Sequence, residues 1–258
     1  MLTRTLEQGA AMAGALKDLG ARVISFPTIK LIPPPDESII QRALSEIDSY
    51  DWIVFTSVNA VHNFFNYYTK LIPQDKQTSQ LGPLPKIAVV GPATGQALEA
   101  YGASPSAMAK NFQAEGLVEM FAAFPQAKQQ GSRILIPRAL EARDVLEKQL
   151  PEFGYEVSIA PVYQTVQAEA SAEQIAGIKH ADAIVFSSPS TVRYFVNILD
   201  GADDSRQQAA DYLKSRKIFS IGPVTTAELH RQHLAPTQIF EAKESTAESL
   251  VSLLAKSL

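Results

Sequence analysis

Short runs of apolar residues alternate along the chain with longer stretches whose apolar positions recur every three or four residues. The runs Trp52–Phe55 and Ala183–Phe186 are fully apolar and rich in β-branched residues, which is typical of strands covered on both faces in a parallel sheet. Apolar residues at helical spacing follow each run, from Val58 in one segment and from Val192 in the other. This alternation predicts an α/β fold with doubly wound parallel sheets.

The chain contains this pattern twice. Residues 51–65 (DWIVFTSVNAVHNFF) and 182–196 (DAIVFSSPSTVRYFV) share seven of fifteen residues, and residues 86–98 and 217–229, at the same offset of 131 positions, share six of thirteen. A period this long indicates duplicated domains, since solenoid repeats have periods of about 20 to 50 residues. The sequence therefore predicts two degenerate copies, each with five strands.

A weaker correspondence extends the repeat to the amino end, where residues 2–29 align with residues 136–163. Three pairs fall in register: Arg4 and Arg138, Gly20 and Gly154, and Pro27 and Pro161. On this alignment the first copy should begin with strands at residues 2–4 and 22–26.

In each copy, one proline-bearing segment follows the second strand. The two segments are residues 26–35 (FPTIKLIPPP) and residues 160–170 (APVYQTVQAEA). Because proline restricts both segments to extended conformations, they could pair as a short ribbon between the domains. The domain boundary would then cross the repeat boundary.

Composition narrows the class of protein. With 258 residues, 46% hydrophobic and 19% charged, the chain has the profile of a globular protein with two domains. The sequence contains neither a signal-peptide core nor about 18 consecutive apolar residues, so we expect a cytoplasmic protein with no membrane partner. The absence of cysteine excludes disulfides and thiolate chemistry. A net charge of −4 gives no basic surface for nucleic acid.

Small hydroxyl residues lie where strands give way to helices. Ser57 and Ser188 occupy N-cap positions, and Thr94 and Thr225 each follow a Gly-Pro turn. In a parallel α/β sheet these positions lie at the carboxyl ends of strands, where ligands bind. Because helix N-termini favour negative charge, four such sites favour a polyanionic ligand. A nucleotide is disfavoured, since the chain has neither GxxxxGKS/T nor GxGxxG. The alternative for each turn alone is a structural Gly-Pro turn capped by Thr.

Other candidate residues leave alternatives open. His230 and His233 have the spacing of two metal ligands, but a nearby carboxylate is missing and a solvated helix surface is the simpler interpretation, so no metal is expected. Arg4 and Arg138 lie near strand ends and could either meet carboxylates or lie at the surface. Tyr163 lies in the second linker segment, facing either packing partners or the cleft.

Six short motifs together resemble the uroporphyrinogen-III synthase family over nearly the whole chain. They are IVFTSVNAV, VVGPAT, PVYQT, IVFSSPSTV, SIGPVT and AKESTAESLV. The resemblance implies two flavodoxin-like domains joined by a two-stranded linker, with the first βαβ segment of each copy completing the domain of the other. By analogy, one domain is residues 1–30 plus 167–258, the other is residues 36–160, and residues 31–35 and 161–166 are linkers.

The resemblance also implies a cofactor-free enzyme of tetrapyrrole biosynthesis. Its substrate would be hydroxymethylbilane, a linear tetrapyrrole with eight carboxylates, which is cyclised with inversion of ring D through a spiro-pyrrolenine. Tyr163 would assist departure of the hydroxyl. The resemblance implies that Ser57, Thr94, Ser188 and Thr225 bind substrate carboxylates. Arg4 and Arg138 are added as candidate substrate-binding residues because they lie near strand ends. We expect the protein to be a monomer.

One departure from the family pattern concerns the first strand. Only Met1 and Leu2 precede the pair Thr3-Arg4, whereas the family usually has a longer apolar strand there. Either the start is placed late or the first strand is short, and this bears on the role of Arg4. The alternative function is a non-catalytic two-domain receptor that closes on a small anionic solute.

Overall fold

The computed structural model describes residues 1–71, 84–124, 131–201, 207–232, 234 and 238–257. The chain divides into two compact units. The discontinuous unit combines Met1–Lys30 with Val166–Leu258, and the continuous unit is Leu31–Thr165. Each unit contains a parallel sheet with helices, so the predicted α/β class is confirmed.

The helices follow the predicted alternation with strands. In chain order they are α1 (Leu6–Asp18), α2 (Ser38–Ser45), α3 (Val58–Leu71), α4 (Pro92–Glu99), α5 (Ala114–Ala122), α6 (Val145–Gln149), α7 (Ala172–Gly177), α8 (Pro189–Asp200), α9 (Gln207–Lys214), α10 (Pro223–Arg231) and α11 (Ala247–Ser257). Short 3-10 helices occur at Ile47–Ser49, Leu150–Phe153 and Ile178–His180. Within the described ranges, no helix is both long enough and apolar enough to cross a membrane.

The strands form two sheets. They are β1 (Ile29–Ile32), β2 (Trp52–Phe55), β3 (Lys86–Val89), β4 (Ala107–Met108), β5 (Ser132–Ala139), β6 (Tyr155–Gln167), β7 (Ala183–Phe186), β8 (Lys217–Ser220) and β9 (Ile239–Glu241). The first sheet has the order β1-β6-β5-β2-β3-β4 and the second has the order β7-β8-β9. The pairs from β6 to β4 and from β7 to β9 are parallel.

In the continuous unit, β5 and β6 come from the second sequence copy and lie beside β2, β3 and β4 from the first. If β5 is counted as the first strand of its unit and β6 as the second, the order is 2-1-3-4-5. This is the strand order of flavodoxin-like sheets, whose ligands bind at the carboxyl ends of the strands. The linker strands β1 and β6 are neighbours, and the Gln164 side-chain amide donates to Pro33 O at 2.9 Å, so the predicted pairing of the two linkers is confirmed.

The discontinuous unit continues its sheet beyond β7 through isolated bridges. Leu2 pairs in parallel with Ser25 on one side and with Val185 on the other, which gives the same 2-1-3-4-5 order. The prediction of full strands at residues 2–4 and 22–26 was therefore wrong in extent. Leu2 makes one isolated bridge to each neighbour, and beside it the Thr3 side-chain hydroxyl, rather than a backbone N–H, donates to Val185 O, so no regular ladder forms.

The apolar runs are buried because both faces of each sheet are covered. In β2, Ile53 and Phe55 belong to one core cluster while Trp52 and Val54 belong to the cluster on the opposite face. Successive strand residues point to opposite faces, so a strand covered on both sides must be apolar at every position. All four residues of β7 are likewise divided between two clusters.

Candidate functional site

A cavity of about 290 Å³ opens at the carboxyl ends of the strands of the continuous unit. Its wall includes Thr56, which follows β2, Val90, which follows β3, and Arg138 near the end of β5. Phe112 and Gln113, just before α5, complete one side. The cavity thus lies at the edge where parallel α/β sheets bind ligands.

Arg138 is held by the loop that follows β5. Its Nη1 donates to the carbonyl oxygens of Ala142 at 3.3 Å and Arg143 at 3.0 Å, and its Nη2 lies 3.0 Å from Glu147 Oε2. The side chain is 14% exposed, and its Nε is buried with no partner among the described residues. Arg138 therefore fixes the loop that follows β5, and its Nε–H remains without a hydrogen-bond partner within the described ranges.

Arg4 is the counterpart of Arg138 in the discontinuous unit, but its surroundings differ. The Arg4 side chain is partly buried, and among the described residues it has no hydrogen-bond or ion-pair partner. Burial lowers the pKa of its guanidinium below the ordinary value, because a charge removed from water loses solvation. The repeat explains the difference, since Ala13 stands at the position that corresponds to Glu147.

Buried threonine hydroxyls fix the segment that carries Arg4. Thr3 Oγ1 donates to Val185 O at 2.7 Å, and Thr28 Oγ1 lies 3.2 Å from Thr3 O and 3.1 Å from Thr191 O. All three threonines are fully buried, and such groups must be hydrogen-bonded to avoid a desolvation cost. The hydroxyls thereby tie the first segment to β7 and α8, which sets the position of Arg4.

Both predicted N-caps are confirmed. Ser57 Oγ accepts from Ala60 N at 3.1 Å at the start of α3. Ser188 and Thr191 form a capping box at the start of α8, each hydroxyl oxygen accepting from the other residue's backbone N–H at 3.3 Å. The two serine oxygens thus satisfy helix N–H groups. Ser188 Oγ also lies 2.9 Å from Ser190 Oγ, where either hydroxyl can be the donor.

The Gly-Pro turns begin α4 and α10 as predicted, but Thr94 and Thr225 point inward and are only 4% and 2% exposed. A Cβ at Gly91 would lie 3.3 Å from the Phe112 ring, and a Cβ at Gly222 would lie 2.5 Å from Ser245 Oγ, so a side chain at either position would displace that neighbour. These turns therefore present backbone groups, rather than the threonine hydroxyls, to a ligand.

Exposed apolar side chains at the same edges are residues that the sequence patterns missed. Phe112 is 61% exposed beside the cavity, Leu140 is 38% exposed just after β5, and Val224 is 71% exposed in the first turn of α10. One signal was available for Phe112, because the aligned repeat has the small residue Ser245 at that position. A large apolar residue in a loop is informative when the second copy lacks it.

Tyr163 lies in β6 opposite Ala139, at a β-bulge in the pairing of β5 with β6. Its side chain is 7% exposed and packs in the core cluster that includes α2, α3 and α4. The cavity-lining residues Ile136 and Leu146 belong to the opposite core layer. The structure therefore separates Tyr163 from the cavity.

The histidine pair provides no support for a metal site. His230 is exposed on α10, and His233 lies outside the described residues. Within the described part of the chain, no group of three or more His, Asp or Glu side chains could hold a metal ion.

Comparison with protein families and known proteins gives a consistent result. Residues 10–252 match the family model described as uroporphyrinogen-III synthase HemD. The uroporphyrinogen-III synthase of Synechococcus elongatus is 31% identical over 258 residues, which cover 97% of this chain and 92% of that protein.

Two solved structures share the fold. Uroporphyrinogen-III synthetase from Helicobacter pylori matches with a TM-score of 0.60 at 18% identity, covering 93% of this chain and 96% of that one. A mutant uroporphyrinogen III synthase from Thermus thermophilus matches with a TM-score of 0.58 at 20% identity, covering 99% and 96%.

Proposed function

Since the chain belongs to the uroporphyrinogen-III synthase family, we propose that it converts hydroxymethylbilane to uroporphyrinogen III with inversion of ring D. The match to the family model over residues 10–252 carries this proposal. The family consists of lyases of tetrapyrrole biosynthesis, and the comparisons favour this enzyme over the solute-receptor alternative.

The chemistry requires orientation more than reactive groups. Loss of the hydroxyl at ring A leaves an azafulvene, which the substituted α-carbon of ring D attacks to give a spiro-pyrrolenine. That intermediate fragments and closes again with ring D inverted. The pyrroles supply the electrons, and the protein must hold the bilane bent so that the wrong carbon is out of reach. Such orientation contributes up to about 7 to 11 kcal/mol.

Arg4 is the strongest candidate for binding a substrate carboxylate. Its guanidinium is partly buried and unpaired within the described ranges, and a desolvated cation gains more from an incoming carboxylate than a solvated one. Arg138 already has a carboxylate partner in Glu147, so its remaining Nε–H would contribute less. The two copies thus divide the roles of anion binding and loop anchoring.

Helix starts supply further carboxylate sites. The first turns of α3, α4, α8 and α10 follow strand ends, and their orphan N–H groups attract anions. At α4 and α10 the buried Thr94 and Thr225 leave this role to the backbone. At α3 the Ser57 hydroxyl adds a donor, and at α8 the hydrogen-bonded hydroxyls of Ser188 and Ser190 together add one.

Apolar side chains at the same edges suit the pyrrole rings. Phe112 and Leu140 in the continuous unit and Val224 in the discontinuous unit are exposed beside these helix starts and strand ends. A ring that covers such a side chain removes apolar surface from water, at about 25 cal/mol per Å². Carboxylates and rings of the bilane would therefore bind to different kinds of group at each edge.

The test is a product analysis. Freshly prepared hydroxymethylbilane is incubated with the protein, and uroporphyrinogens I and III are separated by chromatography after oxidation. We expect mostly type III, formed faster than the spontaneous closure measured without protein. Type I alone, at the spontaneous rate, would refute the proposal. We further propose that the protein is a cytoplasmic monomer. Light scattering during size-exclusion chromatography would test the oligomeric state.

A further inference from the structure

The cavity of the continuous unit lies between two walls that come from separate segments of the chain. One wall is residues 112–114, which lead into α5, and the other is formed by Ala142 and Arg143, in the loop between β5 and α6. At about 290 Å³ the cavity is near the lower limit for ligand pockets, so it has room for a single ring. Its floor is apolar and comprises Val90, Ile136 and Ile159.

An ion pair joins the two walls. Arg143 Nη1 donates to Glu115 Oε1 at 2.9 Å, and Glu115 follows the cavity-lining Ala114 in the first turn of α5. The two side chains are 67% and 46% exposed. An ion pair that is this open to water contributes little to stability, so another carboxylate can take the place of Glu115 at low cost.

Glu115 is also poorly satisfied where it lies. Its second carboxylate oxygen, Oε2, is buried and has no hydrogen-bond partner within the described ranges. A buried acceptor without a donor costs free energy because it has lost its water. Movement of the Glu115 side chain into solvent would remove that cost, and this favours its displacement.

Arg143, in contrast, is held in position by its backbone. Arg138 Nη1 donates to the carbonyl oxygens of Ala142 and Arg143, and Arg138 is itself paired with Glu147. These contacts do not involve the Arg143 side chain, so they persist when Glu115 leaves. The Arg143 guanidinium would then remain at the cavity wall, and such preorganisation lowers the cost of binding.

The repeat shows that the fold does not depend on this ion pair. Glu115 aligns with Glu248, whereas Arg143 aligns with Gly9. The discontinuous unit therefore builds the same strand order without an arginine at that position. Because the pair is dispensable for the architecture, its presence in one unit calls for another explanation, and ligand binding provides one.

We propose that Arg143 binds a carboxylate of the pyrrole ring that enters this cavity, and that Glu115 occupies Arg143 in the empty site and is displaced by that carboxylate. The identity of the ligand rests on the proposed function. Each ring of the bilane joins a flat apolar face to carboxylate side chains. Phe112, which is 61% exposed at the cavity wall, would cover the ring while Arg143 binds the carboxylate.

The first experiment measures binding of pyrrole-3-propionate by chemical-shift titration of the isotopically labelled protein, with its methyl ester as the uncharged control. Glu115→Gln should lower the Kd about 2- to 5-fold, because the competing carboxylate is removed. Arg143→Gln should raise the Kd at least about fivefold, and Arg143→Lys should recover part of the affinity. Glu119→Gln, the same change one turn later on the exposed side of α5, should leave the Kd unchanged.

The second experiment tests the competition itself. Glu115→Gln should have no effect on the Kd in a protein that already carries Arg143→Gln, because no guanidinium is then left to compete for. In the synthase assay the two single variants should shift KM in the same opposite directions and keep kcat within about twofold. A purely structural ion pair would instead give both variants the same small loss of Tm and no opposite changes in affinity.

Three results would overturn the inference: an unchanged or higher Kd in Glu115→Gln, an unchanged Kd in a folded Arg143→Gln protein, or equal affinities for the acid and its methyl ester. The binding measurements need no turnover. Formation of type I product alone would therefore count against the proposed function, while the Kd values would still decide whether Arg143 and Glu115 have the roles inferred.

Discussion

Replacing Arg4 and Arg138 by glutamine in separate variants should affect different properties, although the two arginines are equivalent in the repeat. Arg138 makes two hydrogen bonds to loop carbonyls and an ion pair with Glu147 at 3.0 Å, and its side chain is 14% exposed. Glutamine cannot reproduce these contacts, so a carboxylate and two carbonyls lose their partner. We expect Arg138→Gln to lower the free energy of unfolding by about 2 to 4 kcal/mol.

Arg4→Gln should behave in the opposite way. Within the described ranges its guanidinium has no partner to lose, so the free energy of unfolding should change by no more than about 0.5 kcal/mol. If Arg4 binds a substrate carboxylate, loss of that charged hydrogen bond removes about 1.5 to 3 kcal/mol of binding. That free energy corresponds to an increase of about 10- to 100-fold in KM.

The assay combines chemical denaturation, followed by circular dichroism, with initial rates of type III formation across a range of hydroxymethylbilane concentrations. Arg4→Lys serves as the matched control, since it keeps the charge but not the forked geometry, and it should recover part of the affinity. An unchanged KM in a folded Arg4→Gln protein would refute the role of Arg4. Equal losses of stability in both glutamine variants would refute the division of roles between the copies.

Three further predictions concern a side chain, two glycines and the division into units. If the Tyr163 hydroxyl assists departure of the substrate hydroxyl, Tyr163→Phe should slow single-turnover formation of type III by about 10- to 100-fold and leave the ratio of isomers unchanged. A wild-type rate in this variant would show that Tyr163 contributes only to packing. Gly14→Ala should stabilise the protein by about 0.5 to 1 kcal/mol, because no atom lies within 4 Å of the added Cβ. Gly116→Ala should destabilise it by about 1 to 3 kcal/mol, because the added Cβ would lie 2.2 Å from Asn111 O. Equal changes in Tm in the two variants would contradict this prediction. Residues 31–165, expressed alone, should unfold cooperatively on heating, whereas the sequence halves 1–130 and 131–258 should not. Cooperative unfolding of both halves would contradict the proposal that each domain combines segments from both sequence copies.

The local patterns of the sequence determined the elements and their caps. The fully apolar runs of β2 and β7 were identifiable because a strand covered on both faces has no position that can be polar. Ser57 and Ser188 were identifiable as N-caps because the cap contacts lie within three residues along the chain. The repeat, the family and the fold class followed from such local signals in a fixed order and spacing.

The tertiary structure alone decided which residues are available to a ligand. Arg4 and Arg138 align in sequence, but among the described residues only Arg138 meets a carboxylate, because Glu147 lies on α6 while the first copy has Ala13 at that position. Thr94 and Thr225 occur in exposed-looking turns, yet the direction in which each helix leaves its strand buries both hydroxyls. The extent of the first strand likewise depended on whether residues far apart in the sequence could pair on both of its sides, and a local pattern carries no information about such pairing.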